Sequence, residues 1–297
     1  MMLLDCLIIG GGPAGLAASI YLARFHRTVM LVDAGGSRAK LIPSTHNLPG
    51  FPDGISGPDL LDRLARQAER FGVASHQGEV DAIESAEDGF VIRGFGVASR
   101  ARTILLATGV VDRKPAIADL EQLTARALLR YCPICDAYEA SGRKVAVLGP
   151  VDHALKEARF LRTYSPDVTV LATNGGVQPP HRAEDGITVL HDQPVLIEEN
   201  GAGVRVLLRS GAQLDCDVLY AAMGTDVRSG LAQQLGAACS ETRCIVVDAH
   251  QRTSVPGLYA AGDVVQELNQ IAVAFGHAAI AAATIHNGLP PNPHGRS

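Results

Sequence analysis

The run Gly10-Gly11-Gly12-Pro13-Ala14-Gly15 constrains the fold of this chain more than any other feature. It follows an apolar stretch, Leu3 to Ile9, and opens a segment, Pro13 to Phe25, whose apolar residues recur at helical spacing. A second apolar run, Thr28 to Val32, ends at Asp33. Strand, glycine turn, helix and strand in that order make a βαβ unit and predict a parallel sheet. Gly10 permits the tight turn, Gly12 lets a pyrophosphate approach the backbone, and Gly15 lets helix and strand pack closely. The helix N-terminus favours negative charge, and Asp33 can accept from a ribose hydroxyl. A bare GxGxxG is weak, because a glycine-rich turn can exist without a ligand. Here the flanking strand and helix and the acid about 20 residues on supply the context that motif requires.

Further along, Leu41 to Pro58 is rich in Pro and Gly and too long for a simple connection, so it reads as a functional loop. Asp59 to Phe71 predicts an amphipathic helix, and Val80 to Ser85, Phe90 to Gly94 and Thr103 to Ala107 predict strands. The strand, glycine, helix pattern then recurs at Lys144 to Leu148, Gly149 and about Asp152 to Arg162, followed by a strand at Val168 to Leu171. Hairpin-like strands are expected at Ile187 to Leu190, Val195 to Glu198, Val204 to Arg209 and Asp217 to Ala222. The region Ile245 to Asp263 reads as strand-rich. The last helix, Ile271 to Asn287, is apolar on most faces and is expected to be buried, with a frayed tail after Gly288.

At 297 residues the chain can form two domains, each with its own core. Hydrophobic residues make up 47% and charged residues 19%, with 31 Gly, which suits a packed α/β protein and argues against long disordered segments. A net charge of −5 with scattered Lys and Arg gives no electrostatic footprint for nucleic acid. No apolar run reaches the roughly 18 to 20 residues of a membrane span, and no signal peptide precedes the glycine turn, so a cytoplasmic location is expected. Six cysteines at uneven spacing do not make a secreted disulfide framework.

Only Cys132 and Cys135, in Tyr131-Cys132-Pro133-Ile134-Cys135-Asp136, are close enough in sequence for local chemistry. At i and i+3 on a helical turn their sulfurs are neighbours able to form a disulfide. A helix N-terminus would lower one thiol pKa, as exchange requires, and Asp136 beside them is placed to move a proton. Half of a zinc site and inert packing are the competing readings, but zinc wants four ligands and no second CxxC or HxxxH follows. Cys6, Cys216, Cys239 and Cys244 read as buried fillers or surface thiols. His26, His76, His181 and His191 are expected to be solvated, and Phe275 and His277 to be core or interface; His153 is given no role.

The chain resembles the low-molecular-weight thioredoxin reductase family (class II pyridine nucleotide-disulfide oxidoreductases) over nearly its whole length. The matching pieces are Gly10 to Ala18, His46-Asn47-Leu48-Pro49-Gly50-Phe51-Pro52 with Gly57-Pro58, Ala107-Thr108-Gly109, Cys132 to Asp136, and Gly257 to Asp263 followed by Asn269-Gln270-Ile271. The resemblance implies an α/β fold of two Rossmann-like three-layer ββα nucleotide-binding domains, the second inserted in the first. Residues 1–113 and 225–297 would form a discontinuous FAD-binding domain, and residues 114–224 a nicotinamide-type domain carrying the cysteine pair. It implies FAD contacts at Gly10, Gly12, Pro13, Ala14, Gly15, Asp33, Gly36, Ser37, Arg38, Asn47, Val80, Ala107, Thr108, Gly109, Gly262, Asp263, Gln270 and Ile271. It makes Cys132 and Cys135 the pair that exchanges with flavin, Asp136 the acid/base, and Cys132 the sulfur that attacks substrate. It also implies a homodimer, and by analogy hinge strands near Asp112 to Pro115 and Met223 to Thr225.

The second glycine turn departs from the family pattern. It reads Gly149-Pro150-Val151-Asp152-His153-Ala154, with Val151 at the middle glycine and Pro150 removing an N–H. After the next strand Thr173-Asn174-Gly175-Gly176 stands where a basic cluster would grip a 2′-phosphate. The sequence therefore leaves NADPH undecided as a second cofactor. Three functions remain open. One is a reductase passing electrons through FAD and the cysteine pair to a thioredoxin-like protein or small disulfide. Another is a dithiol oxidase that uses oxygen and no nicotinamide. The third is a non-enzymatic flavin redox sensor. The degenerate turn favours the oxidase, and Asp136 favours the reductase.

Overall fold

The structure, a computed structural model, describes residues 3–94, 96–116, 119–174, 181–182, 185–266 and 268–292. The chain forms two compact units, one of Met1–Lys40, Ser56–Val111 and Val227–Ser297, the other of Leu41–Ile55 and Asp112–Asp226.

The first unit begins with β1 (Leu3–Ile9), α1 (Pro13–Arg24), β2 (Val29–Asp33), α2 (Gly57–Arg70), β3 (Ala74–Gln77), β4 (Val80–Ala86), β5 (Gly89–Gly94) and β6 (Val97–Leu106). α1 starts where the sequence says it should, with Gly12 as N-cap and Pro13 in its first turn, where a missing N–H costs nothing. α2 is capped by Ser56, whose hydroxyl accepts from the Asp59 amide at 3.1 Å. β7 (Val110–Asp112) follows β6.

The second unit contains α3 (Leu120–Ala125), β8 (Leu129–Arg130), α4 (Pro133–Asp136), β9 (Lys144–Gly149), α5 (Val151–Leu161), β10 (Asp167–Ala172) and β11 (His181–Arg182). It continues with β12 (Thr188–Leu190), β13 (Pro194–Asn200), β14 (Gly203–Leu208), β15 (Gln213–Cys216) and β16 (Val218–Ala221). β17 (Thr225–Val227), which pairs with β7, leads back to the first unit and its α6 (Gly230–Gln234), β18 (Leu258–Ala260) and α7 (Ile271–Gly288).

The first sheet runs β3-β2-β1-β6-β5-β4. β1, β2, β3 and β6 are parallel, and β5 and β4 antiparallel. β18 pairs with Ile104 to Leu106 of β6, beyond the stretch that pairs with β5. Cys6, Leu7, Ile8 and Ile9 are all buried, as a parallel strand covered on both faces requires. In the second unit a sheet of order β11-β12-β10-β9-β16-β8 is parallel except at β11. Ala154, Ala158 and Leu161 of α5 pack on Val145, Val147 and Val168. Leu148, Leu171 and Leu219 pack instead with Val204 and Val206 of the three-stranded β13-β14-β15 sheet. Two strand layers and a helix layer therefore enclose the core, and the fold class expected from the sequence is the one observed.

Several local expectations are corrected. Ile187 to Leu190 pairs antiparallel with β11, as a hairpin-like strand would, but as β12 it also joins β10 in parallel. Ile245 to Asp263 holds one three-residue strand and isolated bridges, because its backbone closes local turns instead. α7 is long and apolar enough to cross a membrane by length and composition, yet only one of its faces is buried. Ala274, Ala278 and Ala281 lie on that face, whereas Ile280 is 40% exposed. The chain just past Gly288 is not loose: Arg27 donates to the Pro290 carbonyl at 2.8 Å, and Asn292 to that of His26. His191 is buried rather than solvated, stacked on His181 at 5.3 Å, with neither ring nitrogen paired among the described residues.

Candidate functional site

The first unit gathers most of the cofactor candidates around the end of its parallel sheet. Gly10 has φ +111°, and a Cβ there would overlap the Ala107 carbonyl; one on Gly15 would overlap the Gly10 carbonyl. Both glycines are required by packing. Gly12 differs, because a Cβ there would meet only the Ser37 hydroxyl, at 3.3 Å. Packing does not demand a glycine at that position, and the open backbone is what a bound pyrophosphate needs. Asp33 closes β2 and accepts the Gly11 amide on Oδ1 at 3.0 Å, which fixes its carboxylate beside the turn. Val80 is buried at the start of β4.

A second layer of contacts orders the surrounding loops. Arg228 donates to the Gly36 carbonyl at 3.2 Å, its own carbonyl accepts from the Thr108 hydroxyl at 2.6 Å, and its amide donates to the Gly109 carbonyl. Arg38 pairs with Asp263 at 3.5 Å. Gly262, at φ +78°, lies close enough to α1 that a Cβ would stand 2.9 Å from that of Ala14. Its amide donates to His277 Nδ1 at 3.4 Å, so the buried His277 ties this loop to α7. Gln270 is the N-cap of α7 and Ile271 its first residue. The residues fit a dinucleotide cofactor: glycine backbone, a helix N-terminus and an acid at the end of β2 stand together. Asn47 belongs to the second unit, where its side chain accepts from the Thr45 hydroxyl and lies 3.5 Å from the Ile134 carbonyl.

In the second unit Cys132 and Cys135 are joined as a disulfide. Cys132 is the N-cap of α4, a single turn that begins with Pro133, and the Cys135 amide donates to the Cys132 carbonyl at 3.0 Å. Asp136 follows directly, and its side chain is turned toward a buried pair the sequence did not single out. Tyr220 on β16 donates to Asp136 Oδ1 at 2.8 Å. Arg130 on β8 donates to the Asp136 carbonyl at 2.7 Å and lies 3.8 Å from its Oδ1. Burial pushes the Asp136 carboxyl up to about 6, against the opposing pull of Arg130 and the Tyr220 hydrogen bond. Burial likewise raises the Tyr220 phenol, keeping it a donor. The chain thus sets a redox-capable sulfur pair directly before an acid whose raised carboxyl pKa suits it to proton transfer.

The remaining thiols are not poised for exchange where their surroundings are decisive. Burial pushes both Cys6 and Cys216 up to about 12. Among the described residues no group of three or more His, Cys, Asp or Glu could hold a metal ion.

Comparison with known proteins agrees with this geometry. Residues 4–278 match the family model described as pyridine nucleotide-disulphide oxidoreductase. A thioredoxin reductase of Streptomyces coelicolor is 32% identical over 288 residues, covering 91% of this chain and 88% of that protein. One from Listeria monocytogenes is 30% identical over 298 residues, covering 93% and 91%. Among solved structures, the thioredoxin reductase of Streptococcus pyogenes superposes with a TM-score of 0.86 at 29% identity, covering 96% of this chain and 97% of that one.

Proposed function

Because the chain belongs to the pyridine nucleotide-disulphide oxidoreductases and is thioredoxin reductase-like among them, we propose that it passes two electrons between FAD and a protein or small-molecule disulfide through Cys132 and Cys135. It is a flavin-dependent disulfide oxidoreductase. FAD, when bound, supplies the two-electron couple by which the cysteine pair alternates between disulfide and dithiol. The unit with the first glycine turn is the flavin-binding one, with Gly10, Gly12 and Gly15 along the pyrophosphate and Asp33 at the ribose. The unit of Asp112–Asp226 carries the exchanging pair.

The single observation that carries this reading is the Cys132–Cys135 disulfide followed directly by Asp136, an acid whose carboxyl burial pushes up to about 6. In the dithiol state Cys132 attacks the substrate disulfide and Cys135 resolves the mixed disulfide. One substrate sulfur leaves in each step, and Asp136 delivers the proton it needs. A thioredoxin-like protein suits the chemistry as partner, and a homodimer is the assembly we expect.

The test is an anaerobic titration of the purified flavoprotein with dithiothreitol, following the long-wavelength flavin absorbance, for the native chain and for Cys132→Ser and Cys135→Ser. The native flavin should bleach, and both variants should fail to pass electrons between thiols and flavin. Bleaching of both variants at the native rate would refute the assignment of the pair.

A further inference from the structure

The two glycine turns of this chain have kept different glycines, and the difference separates packing from ligand binding. In the second turn Gly149 survives, and a Cβ there would overlap the Ala222 carbonyl, so the strand contact alone requires it. The position matching Gly12, which packing leaves open, has become Val151. The helix has also moved. Gly12 is the N-cap of α1, whereas α5 takes Pro150 as its N-cap and Val151 is already helical. The helical backbone thus starts one motif position earlier, in the place where a loop would curl around a pyrophosphate.

The end of α5 is filled by its own chain. The Val151 amide donates to Asn174 Oδ1 at 2.8 Å, and the His153 and Ala154 amides both donate to the Pro150 carbonyl. Pro150 has no N–H to offer. Asp152 adds a carboxylate to the first turn of α5, where α1 has none, and would repel an incoming phosphate. Asn174 is held in place by its neighbour Thr173, whose amide donates to the Gly149 carbonyl and whose carbonyl accepts from Gln193 at 3.1 Å.

We propose that the second unit is a redox carrier closed to dinucleotides by Pro150, Val151 and Asn174, and that thiols reduce its disulfide. This rests on the function proposed above for Cys132 and Cys135. A dithiol's first thiolate attacks one sulfur of the Cys132–Cys135 bond, forming a mixed disulfide and releasing the other cysteine as a thiolate. The second substrate thiolate then closes the substrate disulfide and releases the second cysteine. Two electrons and two protons pass to the pair, and the substrate leaves as a disulfide.

Isothermal titration of the flavin-loaded protein with NADP⁺ and with NAD⁺ tests the closure directly, and anaerobic bleaching by dithiothreitol is run beside it. We expect no saturable binding of either nucleotide up to about 1 mM. A folded, yellow Pro150→Gly/Val151→Gly/Asn174→Ala variant should bind at least one of them about tenfold or more tighter than the native chain. Micromolar binding by the native chain overturns the inference and leaves the thiol–flavin function standing. A folded variant that gains no affinity also overturns it, because the block would then lie elsewhere. Where that variant does not fold, Asn174→Ala alone is measured in the same way and must bind more tightly than the native chain. Failure of dithiothreitol to bleach the native flavin, with no nucleotide bound, sinks the function and leaves the closure standing.

Discussion

Asp136 holds its proton more tightly in the folded chain than in the unfolded one, since burial raises its carboxyl from 3.8 to about 6. The associated stability is complete below about pH 4 and is lost as the pH rises through about 6, a loss on the order of 3 kcal/mol. Asp136→Asn should therefore raise the denaturation midpoint at pH 7.5, with the gain vanishing near pH 4, as urea melts across that range would show. The same variant should slow disulfide exchange by roughly a hundredfold or more and remove the limb near pH 6 from its pH–rate profile. Tyr220→Phe removes a hydrogen bond that favours the ionised form, so that limb should move to higher pH, and Arg130→Leu should move it further. An unmoved limb in both variants would show that another group titrates there. Asp136 was legible in the sequence because it touches Cys135 in the chain. Tyr220 lies 84 residues away on an ordinary apolar strand, and Arg228 is 192 residues from the Gly36 it binds, so nothing local marks either one.

At the scale of elements, the glycine turns separate structural from ligand-bearing positions. Gly15→Ala would place a methyl group on the Gly10 carbonyl and should yield misfolded protein. Gly12→Ala meets only the Ser37 hydroxyl and should stay folded while losing flavin, which circular dichroism and the ratio of flavin to protein absorbance would separate. Full flavin content in Gly12→Ala would remove that backbone from the pyrophosphate contact. Strands and helices with strong apolar periodicity, such as Leu3–Ile9 and Val151–Leu161, were readable because burial on one or both faces leaves its mark on residue type. The parallel pairing of β12 was not. A strand as short as Thr188–Leu190 looks alike in a hairpin and in a parallel sheet, and β12 takes part in both, antiparallel to β11 and parallel to β10. The burial of His191 is not marked in the sequence either, since the ring it stacks on, His181, lies ten residues away in the chain.

At the scale of the molecule, each unit carries its own core. Leu7, Ile9, Ile92 and Leu106 anchor the first, and Val147, Val170, Leu148 and Leu219 the second. Calorimetry should resolve two unfolding transitions, and adding FAD at about 100 times its dissociation constant should stabilise one of them by about 2.7 kcal/mol while leaving the other in place. A single transition that moves as a whole would show that the cores are energetically one. The order of the strands also dictates when the first sheet can be finished. Its β18 docks beside Ile104 to Leu106, yet residues 112–226 are synthesised before Leu258 is made. A growing chain can therefore complete the cysteine-bearing unit, which needs nothing after Asp226, while the glycine cradle lacks its neighbouring strand and the loop at Gly262. A message cut short between the codons of Val227 and Leu258 yields a polypeptide with its sulfur pair in place and an unfinished first sheet.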